Sequence, residues 1–341
     1  KLLELHPWAS EGKVRFARTG GEAMAVAIRT VRAHTEKSGI AFCGYHGWHD
    51  WYLAANLHSN SALDGHLIPG LNPAGVPREL EGTSIPFTYN DIESFIRAID
   101  QGGSNLAAIV MEPMRSQQPN PQFIQYIIST CKEKNILLIV DEITSGLRYG
   151  FPGAHLAMDL TPDLVVYAKA MSNGIPFGTV IGEKSVMDSS ESSFISSSYW
   201  TDGIGTSAAL AVLEKVEKLN VFQRVWEKGT HFQQRLSEVA VKFTHCRVTV
   251  TGMPATPSIA FFPDEYQPQL KSIYIQKMMQ RGFLVSTYFY LMDAHQNHHF
   301  DQFIQAFEEV LGEMDDLVKT GKLPTREGIL GKTRSGFGRL A

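Results

Sequence analysis

A lysine stands at the end of an apolar run in DLVVYAKAMSNGIPFG, residues 163–178. Leu164, Val165, Val166 and Tyr167 predict a short buried strand of a parallel sheet. Lys169 follows, where its ammonium is expected to be poorly solvated or to find a partner. Two further apolar runs end in acids: LAAIVMEP (106–113) in Glu112, and ILLIVDE (136–142) in Asp141 and Glu142. Each has an ordinary structural reading. Asp141 can cap the next helix, Glu112 can pair with a cation, and Lys169 can snorkel to solvent. Taken together they point elsewhere, because open α/β sheets bind ligands beyond the carboxyl ends of their strands. An acid and a lysine at such ends face one crevice.

One chemistry uses this set well. A desolvated lysine has a lowered pKa and becomes a nucleophilic amine that condenses with carbonyls. Pyridoxal phosphate needs such a lysine, and a carboxylate to keep its ring nitrogen protonated. Its phosphate suits a helix N-terminus, where backbone N–H groups lack partners. Thr19-Gly20-Gly21-Glu22-Ala23 enters an apolar-periodic segment (22–37) and supplies that terminus, with glycines that allow close backbone approach. Tyr45, after a strand end, offers an aromatic face.

The elements around these residues predict an α/β fold. Strand-like runs at 106–113, 136–142, 163–169 and 177–183 alternate with the helix-like PQFIQYIISTCKEKN (121–135), the pattern of a mainly parallel sheet. GIAFCGYHGWHD reads as a strand ending in a turn of aromatics and histidines, followed by a Gly/Pro/Asn-rich loop over 59–82. Residues 206–218 form another amphipathic helix. From Asn220 the character changes to helices around CRVTVTG, PSIAFFP and FLVSTYFY. The expected organisation is a large α/β domain over 1–219, a smaller α+β domain over 220–321 and a polar tail over 322–341.

Composition narrows the alternatives. Of 341 residues 43% are hydrophobic and 19% charged, which suits a globular chain with a sizeable core. A net charge of −4 gives no cause to expect nucleic acid or an anionic membrane as partner. No run approaches the length needed to span a bilayer. Cys43, Cys131 and Cys246 are too scattered for a disulfide framework and fit a reducing cytoplasm. No metal is expected: His46 and His49 lack the glutamate of H-E-x-x-H, and His295, His298 and His299 mark a helix start. GILGKT (328–333) lacks the first glycine of a P-loop, with Arg326 in its place.

The order TGGEA, GYHGWHD, VMEP, LLIVDEITSGLR, TPDLVVYAKAMSNGIPFG resembles the class III (subgroup II) pyridoxal-phosphate aminotransferases, of the glutamate-1-semialdehyde aminomutase-like kind. The likeness runs from VRFARTGGEA to DAHQNHHFDQFIQAF. It implies the fold type I, aspartate aminotransferase-like architecture, and a homodimer whose active sites are shared across subunits. It implies that Lys169 forms the Schiff base with pyridoxal 5'-phosphate and that Asp141 pairs with its ring nitrogen. Ile143 and Tyr45 are then expected on the two ring faces, Gly20 and Gly21 at the phosphate, and Gln117 either at the ring hydroxyl or on an exposed loop. His46 is expected to shape the Tyr45 turn and Glu112 to order its strand end. Ser198 or Thr201 is expected to reach a neighbouring subunit's phosphate.

Three departures accompany the likeness. Relatives usually read Ser-Gly-Thr-Glu-Ala at TGGEA, which leaves this phosphate cup one hydroxyl short. The glycines that follow the lysine elsewhere are Ser172-Asn173-Gly174 here, and SSSYWTDGIGTSAA replaces the usual threonine segment. The family's chains also begin earlier than Lys1, by roughly a hundred residues at usual domain sizes, so an N-terminal part is expected to be missing. The resemblance implies an aminotransferase acting on small amines and carbonyl compounds. An intramolecular amine shift of the aminomutase type, or a non-catalytic relative, are the alternatives.

Overall fold

The computed structural model describes residues 1–66, 69–114 and 116–324. GILGKT and most of the tail expected from 322 onwards lie outside the described residues. The chain divides into two compact units, one over Lys1–Leu219 and one beginning at Asn220.

The first unit is built on a seven-stranded sheet. Its strands are β1 (Lys13–Ala17), β2 (Gly39–Cys43), β3 (Ser84–Pro86), β4 (Leu106–Met111), β5 (Leu137–Asp141), β6 (Leu164–Tyr167) and β7 (Gly178–Gly182), in the order β1-β7-β6-β5-β4-β2-β3. From β3 to β6 every neighbouring pair is parallel. β7 runs antiparallel to both β6 and β1. The reason is the connection: only residues 168–177 separate β6 from β7, fewer than the dozen or so a parallel crossover needs.

Helix α1 (Gly20–Thr35) covers one face of this sheet. Its Met24, Ala27, Ile28 and Val31 pack with Ile139, Leu164, Val166 and Val180. On the opposite face, Leu138, Val140, Val165 and Tyr167 pack with Phe95, Phe123, Ile127 and Leu213 from three other helices. The strands are apolar on both sides because both sides are covered. Alternation along β5 still matters, since residues 139 and 141 face α1 while 138 and 140 face away.

The second unit pairs β8 (Arg247–Met253) with β9 (Thr256–Phe262) in an antiparallel hairpin, packed by the helices Val221–Ala240, Gln267–Gln280 and Asn297–Lys319. Phe261, Tyr274 and Phe307 are fully buried at its centre. FLVSTYFY forms no named strand but lies along β9, with Ile259 donating to the Thr287 carbonyl and Phe289 to that of Pro257. His298 and His299 open the last helix, and the His299 side chain closes a capping box with Gln296. No metal-binding cluster occurs among the described residues, and none of their helices is long and apolar enough to cross a membrane.

Candidate active site

A cavity of about 570 Å³ opens where the parallel strands end and α1 begins. It is lined by the α1 entry (Arg18 to Gly21), the turn after β2 (Tyr45 to Trp48), the residues after β5 (Asp141, Ile143, Thr144) and the segment after β6 (Ala168, Lys169, Gly174 to Phe177). Residues more than a hundred positions apart in sequence meet here because each follows the carboxyl end of its own strand.

Thr19 caps α1, its hydroxyl accepting from Glu22 N–H at 3.1 Å. In return the Glu22 carboxylate accepts from Arg18 N–H at 2.8 Å. The first-turn N–H groups of Gly20 and Gly21 have no intrahelical acceptor and carry the positive end of the helix dipole. Both glycines are required by their neighbours. A Cβ on Gly20 would lie 2.9 Å from Ile143 Cδ1, and one on Gly21 would lie 2.7 Å from His49 Cε1. The result is a cradle of bare backbone beside an aliphatic side chain.

Asp141 is 2% exposed, and both of its oxygens are occupied. Oδ1 accepts from Ile143 N–H at 2.9 Å and Oδ2 lies 2.7 Å from His46 Nδ1. The other ring nitrogen, Nε2, donates to the Cys43 carbonyl at 3.0 Å, since a carbonyl can only accept. The imidazole is packed edge-on by Phe42 and Tyr52 and stacked by Trp51. His46 therefore does more than shape the Tyr45 turn: it is the buried hydrogen-bond partner of the acid. That turn is held by Glu112, whose Oε2 accepts from Tyr45 N–H at 3.0 Å. Tyr45 and Ile143 are half-buried and both line the cavity.

Of the two expectations for Lys169, poor solvation or a partner, the structure shows the partner. β6 ends at Tyr167 and burial ends at Ala168, so Lys169 is exposed at the cavity. Its φ of +46° lies in the left-handed region, an arrangement that costs a residue with a Cβ about 1–2 kcal/mol. Its Nζ donates to Thr144 Oγ1 at 2.8 Å, tying the amine to the segment after β5. Thr144 went unnoticed in the sequence. Its only signal there is a hydroxyl three residues after Asp141. Glu142 turns the other way and is fully buried, with Oε1 accepting from His155 N–H at 2.7 Å and contacting His155 Nδ1 at the same distance. Burial pushes the Cys43 thiol well above its usual range, so the cysteine nearest this turn is no nucleophile.

Three sequence candidates stand apart. Gln117 is exposed on the loop after β4 and does not line the cavity. Ser198 and Thr201, also exposed, bound a 3-10 turn in which the Thr201 hydroxyl donates to the Ser198 carbonyl at 2.9 Å. Tyr199 and Trp200 are not lining residues either. The Tyr199 hydroxyl donates to the Pro176 carbonyl at 2.7 Å, and Trp200 Nε1 donates to that of Phe16 at 2.8 Å.

The chain is 28% identical over 329 residues to the 3-aminobutyryl-CoA aminotransferase of Cloacimonas acidaminovorans, covering 93% of this chain and 75% of that one. It is 32% identical over 237 residues to a glutamate-1-semialdehyde 2,1-aminomutase of Pyrobaculum arsenaticum, covering 67% of this chain and 55% of that one. Among solved structures, an omega-transaminase from Sphaerobacter thermophilus superposes with a TM-score of 0.78 at 24% identity, covering 91% of this chain and 76% of that one. The FumI protein of a Sphingopyxis species, solved as its pyridoxal-phosphate internal aldimine form, gives 0.81 at 20% identity, covering 94% and 75%. These likenesses carry the fold type I architecture. The sequence profile described as "Aminotransferase class-III" matches residues 1–311. The chain belongs to the class-III aminotransferases, which carry pyridoxal phosphate.

Proposed function

We propose that this aminotransferase moves an amino group between two separate small molecules, an amine donor and a carbonyl acceptor, with Lys169 and Asp141 as its working groups. The observation that carries the reading is the opening of both residues onto one cavity at the N-terminus of α1. The bare backbone of Gly20 and Gly21 suits a phosphate, and the paired Ile143 and Tyr45 suit a flat ring between them. When bound, pyridoxal phosphate supplies an aldehyde carbon that condenses with amines and a ring that accepts electron density. Asp141 holds a proton on the ring nitrogen. His46 keeps that carboxylate aimed. Lys169 Nζ would take the proton from the carbon bearing the substrate amine and carry it to the carbon on the far side of the amine nitrogen. Thr144 holds the free amine close to its working position. The exposure of Lys169 leaves it room to swing between these tasks.

In this reading the unit Lys1–Leu219 carries the cofactor and the enzyme works as a cytoplasmic homodimer. The three unpaired thiols suit a reducing compartment. Phe194, Trp200 and Ile204 are large exposed side chains within and around the turn from Ser198 to Thr201, as a subunit interface would have them. Ser198 and Thr201 then serve the neighbour's cavity, since they do not line their own. Replacing both with alanine removes up to two hydrogen bonds to a charged group and is expected to weaken cofactor affinity about tenfold or more. Dialysis of the double variant checks this by the cofactor it releases. Retention equal to the parent would put both hydroxyls elsewhere.

The aminomutase reading keeps its place because relatives at 27% to 32% identity bear that name. One experiment separates the two. Purified enzyme is mixed with an amine donor alone, its visible spectrum recorded, and a keto acid then added. Transfer predicts a stoichiometric loss of the cofactor's aldehyde band with donor and its return with acceptor, one product for each. Turnover of a single substrate with no second compound present would favour the mutase.

A further inference from the structure

The turn that carries Thr144 is closed from its buried side. Glu142 is fully buried, and its Oε1 accepts from His155 N–H and meets His155 Nδ1, both at 2.7 Å. Its Oε2 accepts from the hydroxyl of Ser145, itself buried. The backbone repeats this closure: Gly146 N–H donates to the Glu142 carbonyl, and Glu142 N–H to the Val166 carbonyl of β6, each at 2.8 Å. The packing leaves no slack. A Cβ on Gly146 would lie 2.6 Å from Tyr167 Cδ1, and one on Gly153 would lie 2.5 Å from the Tyr167 hydroxyl and 2.6 Å from Glu142 Oε1. Residues 142–146 and the end of β6 are thus pressed together, and Tyr167 precedes Lys169 by two residues.

None of Glu142, Ser145, His155 and Tyr167 lines the cavity, whereas Thr144 does, and there it receives Lys169 Nζ at 2.8 Å. A buried carboxylate is a poor choice for stability alone, because apolar side chains of similar volume fill such places at less cost. What a carboxylate held by donors on both oxygens supplies is direction. We propose that Glu142 and Ser145 are positioning residues for the Lys169 amine: their side-chain bond fixes the 142–146 turn in the shape that presents the Thr144 hydroxyl to Nζ. The proposal rests on the reading of Lys169 as the working amine. A long side chain loses rotamer freedom when it is held, so an acceptor that wandered would hold it poorly. Both residues act through Thr144.

The test reads Lys169 in the full chain without cofactor. Acetic anhydride is pulsed at a series of pH values, and acetylation of the peptide bearing Lys169 is measured by mass spectrometry. The parent is set beside Thr144→Val, which removes the acceptor, and beside Ser145→Ala and Glu142→Met, which remove the bond behind it from either side. A hydrogen bond accepted from the ammonium favours the charged form, so its loss lowers the labelling midpoint. Asp141, the acid lining the same cavity, stays in every variant, so its pull on the amine cancels. Thr144→Val is expected to lower the midpoint by about half a unit or more. Ser145→Ala and Glu142→Met should shift it in the same direction, and Thr144→Val combined with Ser145→Ala no further than Thr144→Val alone. Parental midpoints in Ser145→Ala and Glu142→Met, whatever their melting temperatures, would leave the pair purely structural and overturn the proposal. So would shifts that add in the double variant, since the two residues would then act independently. Should one of the two fail to fold, the other decides against the same outcomes. A parent whose Lys169 formed no borohydride-reducible bond with pyridoxal phosphate would overturn the cofactor reading and the proposal with it, and labelling of the cofactor-free chain tells that failure from the others.

Discussion

Lys169→Ala is expected to lose turnover by about 10⁴-fold or more, since on the proposed mechanism it removes the condensing amine together with a proton carrier that is itself worth roughly 10²–10⁴. The variant should also leave no borohydride-reducible bond between protein and cofactor. Stability offers an internal control. The left-handed backbone at Lys169 penalises any residue with a Cβ, so alanine should melt near the parent. Lys169→Gly suits that backbone and should melt no lower, while being as inactive. Activity and stability therefore separate at this position. Turnover within about a hundredfold of the parent, or an adduct mapped to a different lysine, would remove Lys169 from its role.

Asp141→Asn should fold, bind cofactor and yet lose turnover by about 10²–10³, the scale of a preorganised charge lost from a buried site. The fold survives because the amide can repeat the geometry. Its oxygen still accepts from Ile143 N–H, and its NH₂ can donate to His46 Nδ1 while Nε2 continues to donate to Cys43. What disappears is the negative charge that would hold a proton on the cofactor's ring nitrogen. Steady-state rates, set beside cofactor titration and thermal melting, test this. Near-parental turnover in a well-folded variant would leave the carboxylate as a local cap for Ile143 and nothing more.

How far these groups could be read in advance follows from how local each signal is. The β6 run, the acid at the end of β5 and the Thr19 cap of α1 are written in adjacent residues, by strand composition and capping chemistry. The solvation of Lys169 was not legible. Whether a strand stops at residue 167 or 169 depends on where its partner β7 turns back, and no residue in the run marks that point. The partnership of His46 with Asp141 was hidden for another reason. The two lie 95 residues apart, and meet because β2 and β5 flank the same β4. Periodicity reports which face a side chain takes and is silent about what stands opposite. The same holds for His49 and Gly21, where the sequence displays a missing side chain and the fold displays what fills its place.

The two acids after Val140 are adjacent in sequence but have unrelated surroundings. Asp141 points to the α1 side and meets one buried histidine, His46; Glu142 points to the other side and meets a different one, His155. Each carboxylate is thus matched to a receptacle of its own length and partner. The arrangement makes the reading frame of β5 indivisible. Deleting one residue between Leu137 and Asp141 would bring the longer acid, Glu142, to the place of Asp141; inserting one would carry Asp141 to the place of Glu142 beside His155; and either would turn the apolar face of the strand over. Length changes in this strand should therefore be far less tolerated than substitutions among Leu, Ile and Val within it. A library scan that combined single-residue indels with such substitutions would show β5 as a gap in the map of permitted indels, bordered by positions that accept several apolar side chains.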